Sequence, residues 1–334
     1  MTVCALALGL TFTPGCGSQP RVSAPPTSAP APVGPLVLAK FDRGVGAVHA
    51  GSTDPVWTDP EAVAALDGSA VFSVRRLNTD PSVPDAAGEH LVRLDPDTGE
   101  ITASWPLKAA TPTVGAVAPG GRWVALTDTG APSDAPTTAL IVFDTVTGIQ
   151  THTLELAGDL RPEAFSVDGS FVFALAYSGD HYRVHTIDLA SGQQADTIGR
   201  DKTVEREDMH GTSVRGVLNA DHTLLATLYR NPGNADEPAF VHILDLEHGW
   251  AYCADLAPPF GTGPAGSDHI DLTPAGTVIV STTQSDRLAE IHIAEVHEAG
   301  DKPVTVEYRA ATAAVTEPAP VPVPGFENVI ATLG

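Results

Sequence analysis

The stretch Leu140 to Leu156, LIVFDTVTGIQTHTLEL, decides the fold of this chain. Two runs rich in β-branched and apolar residues flank the turn Asp144-Thr145-Val146-Thr147-Gly148. In such a turn the aspartate side chain accepts backbone hydrogen bonds, and glycine takes a positive φ without strain. The stretch therefore predicts a β-hairpin. Related hairpins are expected at Leu91–Leu107, Val184–Arg200 and Phe240–Leu256, so the hairpin is a repeat.

A second pattern precedes the hairpins and consists of a strand, a tight turn and a strongly apolar strand. Its aligned turn residues are separated by 52, 49, 52 and 54 residues, which is the period of a four-stranded β-propeller blade. The sequence therefore predicts an all-β fold, specifically a six-bladed β-propeller. The five copies are Ala62–Val74, Val114–Leu126, Glu163–Leu175, Arg215–Thr227 and His269–Ser281, with turns aligned at Asp67, Pro119, Asp168, Ala220 and Pro274.

The two ends of the repeat region are expected to complete the sixth blade. Leu36 to Ala50 has the pattern of a third and fourth strand, whereas Pro322 to Leu333 has that of a first and second strand. Joining them would close the ring and remove exposed sheet edges. Prolines weaken the C-terminal strand that would be the first strand of this blade, so a seven-bladed or imperfectly closed ring is the alternative.

The charge of the chain bears on its partners. The 334 residues include 41 acidic and 18 basic side chains, giving a formal charge of -23. This charge repels phosphate backbones and anionic lipid headgroups, so we expect no nucleic-acid partner. We expect a monomer.

The N-terminal segment predicts export. Val3 to Phe12 is apolar but too short to span a bilayer, and Gly15-Cys16 resembles a bacterial lipobox in which Cys16 is lipidated. Thr13 stands where leucine is usual, and the segment lacks an early Lys or Arg, so plain secretion is the alternative. We divide the chain into a signal and lipobox-like segment (1–16), a disordered linker rich in Pro, Ser and Ala (17–35) and the propeller domain (36–334). The membrane is expected to be contacted only through the lipid anchor.

The Asp-x-x-Thr/Ser-Gly hairpins, following strands that turn at Asp-Gly or Pro-Gly, resemble the YVTN-type and WD40-like propeller repeats of bacterial exported proteins. The region from Tyr229-Arg230-Asn231-Pro232-Gly233 to Trp250-Ala251-Tyr252-Cys253 is similar to uncharacterised actinobacterial propeller lipoproteins. The resemblance covers about Leu36 to Gly334 and implies the fold. It implies no activity, because these proteins share none.

Candidate binding residues come from the first strand of each blade, which is innermost in a propeller. The positions five residues before the aligned turns include Glu163, Arg215 and His269, and a carboxylate, a guanidinium and an imidazole at the channel mouth could bind a polar or anionic ligand. Asp268 and His210 are expected nearby. The alternative is that Glu163 and Arg215 pair across neighbouring blades and only staple the ring.

The loops offer a second recognition surface. Connections of variable length predicted to lie on one face are Asn78–Gly88, Asp128–Thr138, Arg200–Gly211 and Asn231–Pro238, and such loops on a rigid scaffold commonly carry recognition.

Binding to a protein or a cell-envelope ligand is therefore favoured over catalysis, and we expect no cofactor. No Gly-x-Ser-x-Gly elbow is present, and the i, i+4 spacing of His181 and His185 places them about 13 Å apart on a strand. Metal ligands cannot be assigned from these patterns. The alternative function is a metal-dependent hydrolase of the lactonase type, with calcium at the channel mouth. Cys253, the remaining cysteine of the domain, is expected to be a structural residue in a strand.

Overall fold

Short strands joined by tight turns make up almost all of the regular structure. The computed structural model describes residues 34–41, 44–52, 54–78, 87–108, 112–129, 136–179, 181–196, 198–199, 209–264, 266–293, 304–310 and 326–332. Within these ranges the strands are β1 to β26, and one turn of 3-10 helix at Pro119–Gly121 is the sole helical element. The all-β prediction is confirmed. No helix among the described residues has the length and apolar character needed to cross a membrane.

The strands form six sheets, each with a core of four antiparallel strands. Sheet 1 has the order β26-β1-β2-β3, and sheets 2 to 6 each contain four strands in chain order. The strand that begins each order is called the first strand below. The bounds in sheets 1 to 3 are β26 (Phe326–Thr332), β1 (Leu36–Phe41), β2 (Val45–His49) and β3 (Pro55–Asp59); β4 (Val63–Ala64), β5 (Val71–Asn78), β6 (Ala87–Leu94) and β7 (Ile101–Pro106); β8 (Thr113–Val117), β9 (Trp123–Thr129), β10 (Thr137–Asp144) and β11 (Ile149–Ala157).

Sheets 4 to 6 follow the same plan. Their bounds are β12 (Asp159–Phe165), β13 (Phe171–Ser178), β14 (His181–Asp188) and β15 (Gln194–Asp196); β18 (Thr212–Leu218), β19 (Leu224–Arg230), β20 (Ala239–Asp245) and β21 (Trp250–Leu256); β22 (Asp268–Leu272), β23 (Val278–Thr282), β24 (Arg287–Ile293) and β25 (Val304–Ala310). The repeat of four strands in sheets 2 to 6 confirms the five repeat units expected from the sequence.

The turn between β10 and β11 has the geometry that its sequence predicts. The carboxylate of Asp144 accepts hydrogen bonds from the backbone N–H groups of Val146 (2.9 Å) and Thr147 (3.3 Å). Gly148 has a φ of 70°, a left-handed conformation that glycine adopts without strain. Asp245 holds the turn of the β20–β21 hairpin in the same way, through the N–H groups of two following residues.

Sheet 1 joins the two ends of the described chain, but with a different division of strands from the one expected. β26 pairs with β1, Ala39 lying opposite Val329. The N-terminal region supplies three strands and the C-terminal region one, so the expected division into two and two is wrong. The unforeseen strand is β3, whose largely exposed residues lack an apolar run. Its Trp57 donates a hydrogen bond to the carbonyl of Pro96, in the turn between β6 and β7 of sheet 2 (2.9 Å), which fixes this outer strand.

Sheets 4 and 5 exchange short strands beyond the predicted hairpins. β15 ends at Asp196, and the chain then forms β16 (Ile198–Gly199), which pairs in parallel with β21 of sheet 5. Further along, β17 (Met209–His210) returns to pair with β14 of sheet 4. The segment predicted as the end of a single hairpin thus contacts both sheets.

The hydrophobic core lies between successive sheets. Buried side chains pack across the contacts between sheets 1 and 2, 2 and 3, 3 and 4, 4 and 5, and 5 and 6. The clusters found among the described residues do not join sheet 6 to sheet 1. Instead, β26 of sheet 1 is in contact with β18 of sheet 5. The first strands of sheets 1 to 5 are thereby brought around a common space.

Candidate functional site

A cavity with a volume of about 600 Å³ lies between the first strands of sheets 1 to 5. Its wall includes residues of β26, β4, β8, β12 and β18, together with side chains from second strands such as Leu175 and Tyr229. Cavities that hold small molecules have volumes of about 300 to 1,000 Å³. The space is therefore large enough for a small-molecule ligand.

The cavity lies toward one end of the sheets. Its lining residues include Pro112, which directly precedes first strand β8, Pro60, which lies three residues before first strand β4, and Tyr177, near the end of second strand β13. First and second strands are antiparallel, so the start of one and the end of the other lie at the same end. We call this the loop end, because the connections from second to third strands and from one sheet to the next emerge there.

Irregular pairing of the first strands shapes the cavity wall. The register shifts between Val114 and Ala116 in β8, between Pro162 and Ala164 in β12, and between Ser213 and Arg215 in β18. A β-bulge leaves one residue without a direct partner and changes the direction of its side chain. In β12 the extra residue is Glu163, a cavity-lining carboxylate.

Close packing of first strands also depends on a glycine. A Cβ added to Gly115 in β8 would lie 2.8 Å from Cδ of Pro162 in β12. Any larger residue would push the two strands apart. This position therefore sets the width of the cavity between sheets 3 and 4.

Glu163 has the most strongly shifted pKa among the acidic residues that line the cavity. Its Oε1 accepts hydrogen bonds from the hydroxyl groups of Thr227 (3.4 Å) and Tyr229 (3.3 Å), both on β19, and both are long for O–H···O bonds. The residue keeps some exposed surface, but Oε2 is buried and has no hydrogen-bond partner. Burial raises the pKa of Glu163 to about 7, and the two hydroxyl groups offset only part of this effect. The groups that partly stabilise the carboxylate are thus hydroxyl groups of the neighbouring sheet.

Three basic residues also line the cavity: Lys40 on β1, Arg161 on β12 and Arg215 on β18. The guanidinium carbon of Arg161 lies 4.1 Å from the centre of the Tyr177 ring, and its Nη2 lies 3.3 Å from Oδ2 of Asp159. These two contacts restrict the orientation of Arg161, although 62% of its side chain is exposed to solvent. Glu61 is the second carboxylate of the lining.

Aromatic residues pack behind Glu163 at the contact between sheets 4 and 5. The Tyr229 ring stacks on Phe240 with centroids 5.0 Å apart, and Tyr182 lies 5.6 Å from Tyr229. His242 lies at the edge of Tyr229, at 6.4 Å between centroids, and its buried Nε2 has no hydrogen-bond partner. Burial lowers the pKa of His242 to about 4, so its imidazole is neutral at neutral pH.

The structure brings together two of the five expected ligand-binding residues. Glu163 and Arg215 both line the cavity. Asp268 and His269 lie on β22 of sheet 6, which does not contribute to the lining. His210 lies on β17, opposite His181 of β14, with the two imidazole centroids 5.7 Å apart. Equal distance from the aligned turns does not give Glu163, Arg215 and His269 equivalent places in their sheets, because β12 and β18 are bulged at different positions and β22 is regular.

Asp268 has a local structural role instead. Its Oδ2 accepts a hydrogen bond from the Gly261 N–H (3.1 Å) and lies 3.9 Å from Nε of Arg230. Arg230 in turn donates to the carbonyl groups of Gly261 and Gly263. These contacts hold the loop before β22 against sheet 5. Oδ1 of Asp268 is buried without a hydrogen-bond partner.

Sequence reasoning missed Arg161, Tyr177, Thr227 and Tyr229 as parts of this site. Arg161 could have been predicted from the alternation of side chains along a strand, because it lies two residues before Glu163 and residues i and i+2 share a face. The bulge lies at Glu163, so the regular alternation still applies to the residues before it. The two tyrosines and the threonine come from second strands, to which the prediction assigned no role.

Several other predicted features lie outside the described residues. These are Cys16 with the export segment, most of the linker, and the central parts of three loops, at 79–86, 130–135 and 200–208.

The fourth loop is described, and the side-chain oxygen of Asn234 accepts hydrogen bonds from the N–H groups of Asp236 (3.1 Å) and Glu237 (3.2 Å). Cys253 lies half-buried in β21, outside any disulfide, and its Sγ contacts Sδ of Met209 at 3.8 Å, as expected for a structural cysteine in a strand. Within the described ranges, no group of three or more His, Cys, Asp or Glu residues is arranged to hold a metal ion.

The chain is similar to several solved structures. No protein-family model and no curated protein matches the chain. TolB from Acinetobacter baumannii is 16% identical over 77% of this chain, with a TM-score of 0.38, and the chain spans 59% of the length of that protein. The β-propeller domain of Cps50 (Swd1) from Myceliophteria thermophila is 12% identical over 82% of this chain and 74% of its own, with a TM-score of 0.41. A functionally unknown protein from Desulfotomaculum acetoxidans is 12% identical over 86% and 83% of the two chains, also at 0.41. At these scores no inference about ligand or partner follows.

Proposed function

We propose that residues 36–334 form a six-bladed β-propeller that acts as a binding module, with its ligand site in the cavity at the loop end. Six four-stranded sheets and the pairing of β26 with β1 support the six-bladed ring. The ligand is a cell-envelope component or a group presented by a protein.

One observation carries the binding proposal. Five sheets surround a single cavity of about 600 Å³, whose mainly apolar wall is interrupted by a few polar side chains. Sites for small ligands have this composition, because apolar surface provides affinity and a few polar groups fix orientation. Glu163 fits such a site, because its burial at neutral pH destabilises the fold and a bound ligand could use its Oε2.

Fluorescence titration with phenylnaphthylamine, a neutral apolar dye, tests the proposal on the purified full chain. We expect one dye molecule to bind per protein with enhanced emission. Ser213→Trp places an indole in the cavity from an exposed position at the start of β18, and it should abolish binding. Ser104→Trp, at an exposed position on outer strand β7, is the matched control and should bind as the wild type does. Equal binding by the two variants would overturn the proposal.

We also propose that the protein is exported and anchored through lipidated Cys16, with residues 17–35 as a tether. The apolar run and the Gly15-Cys16 pair support this location. The hydrolase alternative differs in a measurable property, because a lactonase-type site would retain a metal ion. Elemental analysis of the dialysed protein distinguishes the two functions.

A further inference from the structure

The two carboxylate oxygens of Glu163 are satisfied unequally at the cavity wall. Oε1 accepts hydrogen bonds from the hydroxyl groups of Thr227 and Tyr229, whereas Oε2 is buried without a hydrogen-bond partner. Glu163 also borders the cavity. A buried carboxylate oxygen that receives no hydrogen bond destabilises the fold, and folded proteins rarely contain one. The group that would complete this part of the wall is therefore a hydrogen-bond donor.

The strands behind Glu163 supply uncharged groups. Burial raises the pKa of each neighbouring tyrosine and lowers the pKa of His242 to about 4, so these side chains are neutral at pH 7. They cannot neutralise a carboxylate. The ionisable side chains of this contact between sheets 4 and 5 are Tyr177, Tyr182, Tyr229, His242 and Cys253, whose Sγ contacts Met209.

The basic residues of the lining already have interaction partners. Arg161 contacts Asp159 at 3.3 Å and the Tyr177 ring, and 62% of its side chain is exposed. Lys40 and Arg215 also have partners. Water screens an exposed charge, and a pair of charges interacts about four times more strongly at the effective dielectric constant of a protein surface than in bulk water. The buried carboxylate of Glu163 therefore acts more strongly on a charge inside the cavity than the exposed Arg161 does.

A positively charged donor suits Glu163 better than a neutral one. An ammonium group has three N–H donors, and its hydrogen bonds to a carboxylate are about twice as strong as those between neutral groups. The formal charge of the chain, -23, also favours the approach of a cation over that of an anion.

The carboxylate can turn toward such a ligand. Its hydrogen bonds from Thr227 and Tyr229, at 3.4 and 3.3 Å, are long, and the terminal torsion of a glutamate has a broad range of angles. Rotation about this torsion exchanges the positions of the two oxygens at small cost. The residue keeps some exposed surface, so the carboxylate lies near the cavity space.

We propose that the cavity binds a small amine with an apolar body, whose protonated nitrogen donates hydrogen bonds to Glu163 and whose body packs against the apolar part of the wall. This inference rests on the proposed binding function and specifies its ligand class.

Protonation of Glu163 should compete with the amine. With a pKa of about 7, about one tenth of the unliganded protein has an ionised Glu163 at pH 6 and about nine tenths at pH 8. A ligand that needs the ionised form loses affinity in proportion to that fraction. An alkylamine stays protonated over this range, because its pKa is about 10. Binding should therefore be about tenfold tighter at pH 8 than at pH 6.

Dansylcadaverine and its N-acetyl derivative test the inference on the full chain by fluorescence titration at constant ionic strength. Both have the same apolar body, but only the first carries an ammonium group. At pH 8 we expect dansylcadaverine to bind at one site, to compete with phenylnaphthylamine, and to bind at least about tenfold more tightly than the acetylated probe.

Two matched variants locate the group that holds the amine. Glu163→Gln should weaken dansylcadaverine by on the order of tenfold at pH 8, remove the dependence on pH and leave the acetylated probe unchanged. Glu155→Gln, at an exposed position on outer strand β11, removes the same charge away from the cavity and should bind both probes as the wild type does.

The outcomes separate the inference from the proposed function. If phenylnaphthylamine binds in the cavity but the two dansyl probes bind equally well, or if Glu163→Gln has no more effect than Glu155→Gln, the cavity binds ligands but the amine class is wrong. If phenylnaphthylamine binds at no single site, or if Ser213→Trp leaves its binding unaffected, the binding function fails as well. Selective, pH-dependent binding of the amine that is lost in Glu163→Gln supports the inference.

Discussion

Replacing Glu163 by glutamine should change how the stability of the protein depends on pH. The pKa of Glu163 rises from 4.5 to about 7 on folding because the carboxylate is buried. Below pH 4.5 both folded and unfolded chains hold the proton, so the group has no effect on the free energy of unfolding. Between pH 4.5 and about pH 7 the folded chain keeps a proton that the unfolded chain releases, so stability falls as pH rises. Above about pH 7 the full loss of stability is present.

The size of the loss follows from the two pKa values. A difference between 4.5 and about 7 corresponds to about 3 kcal/mol. Glutamine resembles the protonated acid in shape and never ionises. The variant should therefore match the wild type within about 1 kcal/mol near pH 4.5 and exceed it by about 3 kcal/mol near pH 8.

Urea unfolding followed by tryptophan fluorescence, at constant ionic strength and at several values between pH 4.5 and pH 8, measures this difference. Other titrating groups are common to the two proteins and cancel in the comparison. A constant difference in the free energy of unfolding across the range would refute the reasoning, and so would a variant less stable than the wild type at pH 8.

Four further predictions concern other parts of the molecule. Burial lowers the pKa of His242 to about 4, so this group should cost the fold about 3 kcal/mol as pH falls from 6.5 to 4 and the unfolded chain gains a proton, opposite in sign to the effect of Glu163; relative to the wild type, His242→Phe should therefore gain about 3 kcal/mol in the free energy of unfolding over this range in urea unfolding, and a difference that does not change with pH would contradict it. Ending the chain after residue 325 removes β26 and exposes the edge of β1, which should lower stability by on the order of a few kcal/mol, whereas ending it after residue 332 should not. Cys16→Ala should abolish metabolic labelling with a fatty acid, and equal labelling would leave an ordinary secreted protein. Elemental analysis after dialysis should find no stoichiometric metal, and one calcium ion per chain would favour the hydrolase.

The strand repeat could be predicted because its signals are local. An Asp and a Gly at fixed spacing determine each hairpin turn, and the structure places Asp144 and Gly148 in the expected roles. β3 could not be recognised in the same way. Its exposed residues include a proline and show no apolar run, and it is held by Trp57 contacting a carbonyl of another sheet. That contact joins residues 39 positions apart and leaves no pattern in the strand itself.

The candidate site was predictable only in part for a related reason. Glu163 and Arg215 could be found because strand position alone places them on innermost strands. Their heights could not be found, because bulges in β12 and β18 depend on how each strand pairs with its neighbour. The partners of Glu163 come from β19 of the adjacent sheet, and nothing in the sequence near Glu163 indicates Thr227 or Tyr229.

A crystal structure of the full chain with phenylnaphthylamine tests the central proposal most directly. We predict that the dye occupies the cavity at the loop end, with its rings against Val114 and Ile330. A dye bound to the outer strands, with the cavity filled only by water, would contradict the account.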